Sequence, residues 1–403
     1  MRVLFFAEAV TLAHVARPAV LAASLDPAAD EAVLACPPSH AHFLAGQGLP
    51  VLDIESLPSE RFLAALAAGR PVCEPALLAR QVEEDRRLID HVRPDLVVGD
   101  FRLSLSVSAR LCRVPYATIS NVYWSPHATG GFVMPVLPIS RHLPLALARM
   151  LFAVGSRITM PLHARPVNAL RQAHGLPSLG ADLRRVYTDA DHVLYADAPG
   201  FFPSAPMPAG HHCIGPLLWA PPVADPPWWG ELPGGVPGVY LNLGSSGSQA
   251  SVLGVALQAL AGLPCQVMVA SAGLELARSL PANAMSARYL HGGRASERAQ
   301  LVVCNGGSMA CQQALLAGRP ILGIASNMDQ FMNMASIIAA GAGLVLRSDR
   351  LSVSTVQAAA RQLLTEPAWT AAAGRLGALL RQHDAPANRS EEHTSELQSR
   401  YVI

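Results

Sequence analysis

Short apolar runs alternate with segments of helical length along nearly the whole chain. In the first half the runs are RVLFFAE, AVLAC, PVLDI, DLVVGD, YATIS and HVLYAD, and in the second they are VYLNLG, CQVMVAS, ARYLH, LVVCN, PILGI and GLVLR. Strand-length runs separated by helices predict an α/β fold built from parallel sheets flanked by helices. Between the two series lies GPLLWAPPVADPPWWGELPGGVPG, dense in proline and glycine and carrying three of the five tryptophans. Proline fixes φ and has no N–H to give, so residues 216–237 read as a linker, with its tryptophans packing it down. The chain of 403 residues is long enough for two cores. The expected domains are two doubly wound, Rossmann-like units over 1–215 and 238–388.

Composition narrows the function classes. Hydrophobic residues are 51% of the chain and charged residues 15%, so most of it must be buried, and a net charge of +1 gives no support to a nucleic-acid partner. Seven cysteines, scattered without CxxC spacing, read as buried thiols of a reducing compartment. The opening MRVLFFAEAV is too short for the apolar region of a signal peptide, so a cytoplasmic monomer or homodimer is expected. The most apolar helix candidate, LPLALARMLFAVGSRITMPL from Leu143, carries Arg149, Gly155 and Arg157 and fails as a transmembrane segment. It leaves room for contact with lipid or an apolar substrate. From Arg389 the composition changes abruptly, and RSEEHTSELQS matches the translation of a common sequencing adapter; 389–403 is expected to be a non-native tail without function.

In open parallel sheets ligands bind beyond the carboxyl ends of the strands, so chemistry is sought in the loops that follow them. His14 follows the first run and Asp100 closes DLVVGD. A carboxylate there can hold an imidazole in one tautomer and stabilise its protonated form, although a structural histidine and a helix-capping aspartate fit the same pattern. Gly244, Ser245 and Ser246 end VYLNLG with small and hydroxyl residues. Asn305, Gly306, Gly307 and Ser308 stand where LVVCN meets an alanine-rich helix. Unpaired N–H groups at a helix start bind anions, and the same residues also make an ordinary turn. Asp329, Gln330 and Asn333 in SNMDQFMNM carry the paired donors and acceptors that suit sugar hydroxyls. Asp189 and Asp191 form a DxD pair, but they lead into a strand rather than follow one, and no metal site is expected.

Taken together, LNLGSSG, NGGSMACQQALLAGRPILGI and NMDQFMNM resemble the donor-binding signature of GT-B glycosyltransferases, in the UDP-glycosyltransferase superfamily and its bacterial macrolide-glycosyltransferase-like branch. AHVARP is similar to that family's GHxxP or GHxxR first loop, and PDLVVGD to the strand that delivers its acidic residue. The resemblance covers the chain up to Asn388 and implies two domains facing each other across a cleft, with a final helix beyond that point. It implies an inverting transfer from a UDP- or dTDP-sugar to a small apolar or aromatic acceptor, a natural product or lipid, with no cofactor. His14 takes the place of the general base and Asp100 of its orienting carboxylate. Ser245, Ser246, Gly306, Gly307 and Ser308 take the diphosphate-binding positions, with Gly244 among the donor-side residues, Asp329 with Gln330 takes those of the pair that grips the sugar, and Asn333 falls on the asparagine that follows that pair. Asn305 falls where the family has histidine, Gln313 where it commonly has glutamate on the ribose, and Met309 and Ala310 where it has Gly-Thr. The usual base-stacking tryptophan has no counterpart. Tyr123, Trp124, Phe132 and Met134 of the first domain are the expected acceptor lining. A nucleotide-sugar epimerase on the same architecture, or an inactive sugar-nucleotide-binding protein, are the alternatives.

Overall fold

The computed structural model describes residues 1–44, 48–231, 235–244, 250–274 and 280–383. Two compact units divide the described residues: one holds those of 1–131, 154–219 and 382–383, the other those of 132–153 and 220–381.

In the first unit the strands are β1 (Arg2–Ala7), β2 (Glu31–Cys36), β3 (Val51–Asp53), β4 (Leu96–Asp100), β5 (Tyr116–Ser120), β6 (His192–Tyr195) and β7 (His211–Cys213). Among the described residues they form one parallel sheet in the order β3-β2-β1-β4-β5-β6-β7. Alternate residues of β1 serve different cores. Val3, Phe5 and Ala7 pack under the helix Leu12–Ala22, while Leu4 and Phe6 pack under the helices Pro75–Val92 and Leu105–Cys112. Each fully buried Val, Leu or Phe contributes roughly 1.5–3 kcal/mol, so a strand covered on both faces is a strong organiser.

The second unit repeats the plan with β8 (Gly238–Asn242), β9 (Gln266–Ala270), β10 (Ala284–Ala287), β11 (Leu301–Cys304), β12 (Ile321–Ala325) and β13 (Gly343–Arg347), all parallel in the order β10-β9-β8-β11-β12-β13. Val239, Leu241, Val267 and Val303 pack with the helices Ala250–Ala261 and Val353–Thr365. Two strands differ from the sequence pattern. β7 is the polar triplet His-His-Cys, too short to show any apolar run. β10 lies three residues ahead of the expected ARYLH, because pairing with β9 selects Ala284–Ala287 despite its small side chains.

The division between units falls at Trp219 and Ala220, inside the proline-rich stretch. Its tryptophans pack: Trp219 lies edge-on to Phe43, the Trp228 indole N–H donates to the Ser286 carbonyl at 3.0 Å, and Trp229 lies under Arg298. A second difference concerns 132–153, expected in the first domain but part of the second unit. The Arg347 guanidinium at the end of β13 donates to the carbonyls of Met134 and Pro135, both at 2.9 Å, and stacks on Phe331. Arg350 donates to the Ser140 carbonyl at 2.9 Å, and Val136 N–H to that of Ser326 at 2.7 Å. Backbone groups that no strand satisfies are thus tied to the β12 and β13 ends.

The loops after β1 and β4 are locked by Arg102, which is fully buried. It pairs with Glu8 at 2.9 Å, with Asp85 at 2.8 Å and with Glu84 at 2.8 Å, while Asp85 also accepts from the Ser104 and Ser108 hydroxyls. Burial pushes the Asp85 carboxyl up, against the opposing pull of Arg102 and the two serines. Replacing Arg102 leaves Glu8 and Asp85 buried without their cation. Arg102→Met is therefore expected to destabilise the protein by about 3–5 kcal/mol. Calorimetric melting checks this, and a melting temperature unchanged within a degree or so would show that the acids are relieved by protonation instead.

Candidate active site

β1 and β4 are adjacent in the sheet with Ala7 opposite Asp100, so the chain that leaves β1 and the carboxylate that ends β4 arrive side by side. This is the point where strand order reverses, and the crevice there is where such sheets bind ligands. His14, in the first turn of the helix Leu12–Ala22, places Nδ1 2.7 Å from Asp100 Oδ1. The imidazole side chain is 20% exposed and the carboxylate 1%.

The sequence reading missed Arg17, although it is the last residue of the HxxR pattern in AHVARP. One turn beyond His14, it donates Nε to Asp100 Oδ2 and Nη2 to Asp100 Oδ1, both at 2.7 Å. Its Nη1 donates to Asn121 Oδ1 at 2.8 Å, and the Asn121 amide in turn donates to Asp197 at 2.9 Å. Burial would raise the Asp100 carboxyl, but the charges and hydrogen bonds of Arg17 and His14 outweigh it and hold the group below its ordinary value. An ionised Asp100 can only accept, so His14 presents Nδ1–H to it, and in the neutral ring that tautomer puts the lone pair on Nε2. The 3.1 Å approach of Arg17 Nη2 to Nδ1 is then two donors sharing one oxygen.

Phe101 follows with φ +60°, a left-handed conformation that costs a bulky residue about 1–3 kcal/mol. Its ring lies 5.2 Å from that of His14 and 5.3 Å from Tyr187, which meets Trp124 at 5.0 Å. An aromatic path of half-buried rings therefore runs from the imidazole to Trp124. Of the expected acceptor lining, Trp124 belongs to this path, whereas Tyr123 is buried against Phe202. Met134 is buried and Phe132 half-buried, and both belong to the second unit for the reason given above.

In the second unit β8 and β11 are neighbours, with Asn242 opposite Cys304. Gly244 and Asn305 follow them and touch: a Cβ at Gly244, whose φ is +68°, would stand 2.9 Å from Asn305 Nδ2. Ser245 and Ser246 lie outside the described residues. At the corner, Asn305 Oδ1 accepts the Gly307 N–H at 3.0 Å, Gly306 takes φ +84° against Met334, and the helix Ser308–Leu316 begins. Asn333, 1% exposed, donates its amide to the Gly306 carbonyl at 2.8 Å. Gln330, 2% exposed, accepts the Ser326 and Asn327 N–H groups through Oε1, while its own N–H is capped by Asn327. Gln330 through its amide oxygen and Asn333 through its amide N–H thus brace the corner from within, and Asp329, expected beside them at the sugar, is half-buried. Gln313 is nearly buried and packs on Gly292, where a Cβ would collide with its amide oxygen.

The DxD pair is occupied by the protein itself. Asp189 pairs with Arg110 at 2.9 Å and Arg171 at 2.6 Å, and Asp191 accepts the Tyr116 N–H at 2.9 Å. Among the described residues no group of three His, Cys, Asp or Glu side chains is placed to hold a metal ion.

Residues 255–391 match the family described as erythromycin biosynthesis protein CIII-like, C-terminal domain. The chain is 45% identical over 375 residues to the PGL/p-HBAD biosynthesis glycosyltransferase of Mycobacterium tuberculosis (strain H37Ra), covering 93% of this chain and 87% of that one. The chain belongs to the UDP-glycosyltransferase superfamily of GT-B enzymes. A PGL/p-HBAD biosynthesis rhamnosyltransferase of Mycobacterium bovis (strain BCG Pasteur) is also 45% identical, over 93% of this chain and 83% of its own. Among solved structures, the spinosyn forosaminyltransferase SpnP superposes with a TM-score of 0.70 at 18% identity, covering 99% of this chain and 98% of that one, which shows the shared fold. The protein is thus a glycosyltransferase, which sets aside the epimerase alternative.

Two expectations follow for this glycosyltransferase. Because the Asp100 carboxyl is lower in the folded than in the unfolded chain, its stabilisation is complete above the unfolded value of 3.8 and is lost as pH falls through the lower folded value. Asp100→Asn should therefore flatten the fall of stability below about pH 4 by up to roughly 1.4 kcal/mol per pH unit, read from urea titrations. Equal acid slopes for the two proteins would show that Asp100 carries no such linkage. At the other corner, Asn305→Ala removes the acceptor that shapes Gly307 and should weaken nucleoside-diphosphate binding about fivefold to tenfold. Asn305→His keeps a ring nitrogen able to accept that N–H and should hold or tighten binding. Calorimetry decides, and a loss with histidine as large as with alanine would mean that the amide itself is required.

Proposed function

We propose that this glycosyltransferase moves a sugar from a nucleoside-diphosphate sugar to a hydroxyl of an apolar or aromatic lipid or natural-product acceptor, with inversion at the anomeric carbon. The observation that carries the reading is the 2.7 Å contact from His14 Nδ1 to a buried carboxylate, which leaves Nε2 free to act as a base. In the proposed step Nε2 takes the acceptor proton while the hydroxyl oxygen forms the new bond to the anomeric carbon. The bond from that carbon to the phosphate oxygen breaks, and its electron pair leaves with the diphosphate. Arg17 already balances the charge of Asp100, so the carboxylate acts chiefly by fixing the tautomer and direction of the ring.

The departing diphosphate gains charge that the start of the helix Ser308–Leu316 is suited to meet. A helix terminus supplies about 0.3–1 kcal/mol to an exposed charge and up to about 2 kcal/mol when partly buried, so several donors must act together. The aromatic path from His14 to Trp124 favours a flat or greasy aglycone. The names of the relatives, which place them in PGL/p-HBAD biosynthesis and one of them as a rhamnosyltransferase, support an acceptor of that kind and make a rhamnosyl donor the first to try.

His14→Ala should lower transfer on the order of 10²–10⁴-fold while nucleoside-diphosphate binding persists, and NMR of the product should show the anomeric configuration opposite to that of the donor. Near-wild-type turnover in the variant, or retained configuration, would remove this mechanism.

A further inference from the structure

The helix Leu145–Ala173 has two different halves. Ala164, Val167 and Leu170 are buried against the first unit's core. Toward the N-terminus, Leu147, Met150, Leu151, Val154 and Ile158 fall at i, i+3, i+4, i+7 and i+11, one face of the helix, and all are exposed. Met150 is 58% exposed, Val154 64% and Ile158 70%, where a soluble surface ordinarily scatters such residues singly. The 18-residue window that makes this helix apolar enough to span a bilayer is only 6% buried. Arg149 and Arg157 nonetheless interrupt it, so the segment suits lying on a membrane better than crossing one.

Charge decides what such a face meets. From Phe101 to Ala181 the sequence contains no Asp or Glu, while Arg141, Arg149, Arg157 and Arg165 are all exposed. Arg157 stands at the edge of the apolar stripe beside Ile158, where its methylene stem can lie along apolar surface while the guanidinium reaches phosphate. A second copy of the chain meeting this face about a two-fold axis would bring this helix's arginines against one another, and the helix carries no acid to pair with them. An anionic lipid surface offers the opposite charge together with an apolar interior.

We infer that the exposed face of this helix, centred on Val154 and Ile158 with Arg157 at its edge, docks the enzyme on an anionic bilayer surface in the plane of the headgroups. The inference is independent of the base and donor contacts proposed above, since none of these side chains takes part in them. It gives an enzyme with an apolar acceptor a way to work where such molecules accumulate.

The test is flotation of the full chain with vesicles of phosphatidylglycerol and phosphatidylcholine, compared with phosphatidylcholine alone. Wild type should float with the anionic vesicles, less with the neutral ones, and less again as salt rises. The double variant Val154→Glu, Ile158→Glu should float about tenfold less or worse, with an unchanged circular dichroism spectrum and unchanged turnover on a water-soluble acceptor. Wild type that stays with the soluble fraction, or a variant that floats equally well, would overturn the proposal. So would a concentration-dependent dimer that the variant abolishes while neither protein binds vesicles, because the face would then belong to a second copy.

Discussion

Asp100, Phe101 and Arg102 form the constraint on which the first unit's site depends. Two successive buried ions of opposite sign flank one residue, and each is bound on its own side: Asp100 to Arg17 and His14, Arg102 to Glu8, Glu84 and Asp85. Unpairing either ion inside the protein costs several kcal/mol, more than the roughly 1–3 kcal/mol of a left-handed backbone. Phe101 is therefore held at φ +60° with its ring against the imidazole. The same Arg102 network ties down the loop after β1 through Glu8, so the histidine and its carboxylate are positioned by one set of buried charges.

The two units solve the same problem with different chemistry. Both have the strand order of a doubly wound sheet, and in both candidates follow the pair of strands where that order reverses, β1 and β4 in one, β8 and β11 in the other, with Asp329, Gln330 and Asn333 after β12. The first unit uses ions there, with Asp100 between Arg17 and His14. The second uses neutral amides: Asn305, Gln330 and Asn333 hold the backbone of the corner without adding net charge.

Much of this was legible along the chain. Strands buried on both faces, such as β1, β4, β11 and β12, appear as apolar runs because every side chain of such a strand meets a core. His14 and Asp100 stood out because the loops after strands are few, and the Asn305 corner because Gly-Gly interrupts a strand-helix junction. β7 was invisible since three polar residues at a sheet edge carry no pattern, and β10 was displaced because pairing outweighs the weak preference of Ala-Met-Ser-Ala. Arg17 was in plain view inside AHVARP, but nothing in a linear string says that an arginine faces the carboxylate of a strand eighty-three positions away.

The sequence by itself determined the fold class, the alternation of strands and helices, and the family, because these rest on local periodicity and on short motifs whose residues are contiguous. Tertiary structure decided which polar side chains also brace the backbone around the site. Gln330 and Asn333 have the chemistry to bind a sugar, and one atom of each amide, the Gln330 oxygen and the Asn333 nitrogen, is turned to a backbone group of the corner. The segment 132–153 follows the first unit in sequence, yet Arg347 and Arg350 hold it to the second. In each case the outcome depends on which polar group is nearest after folding, and that neighbour is distant along the chain.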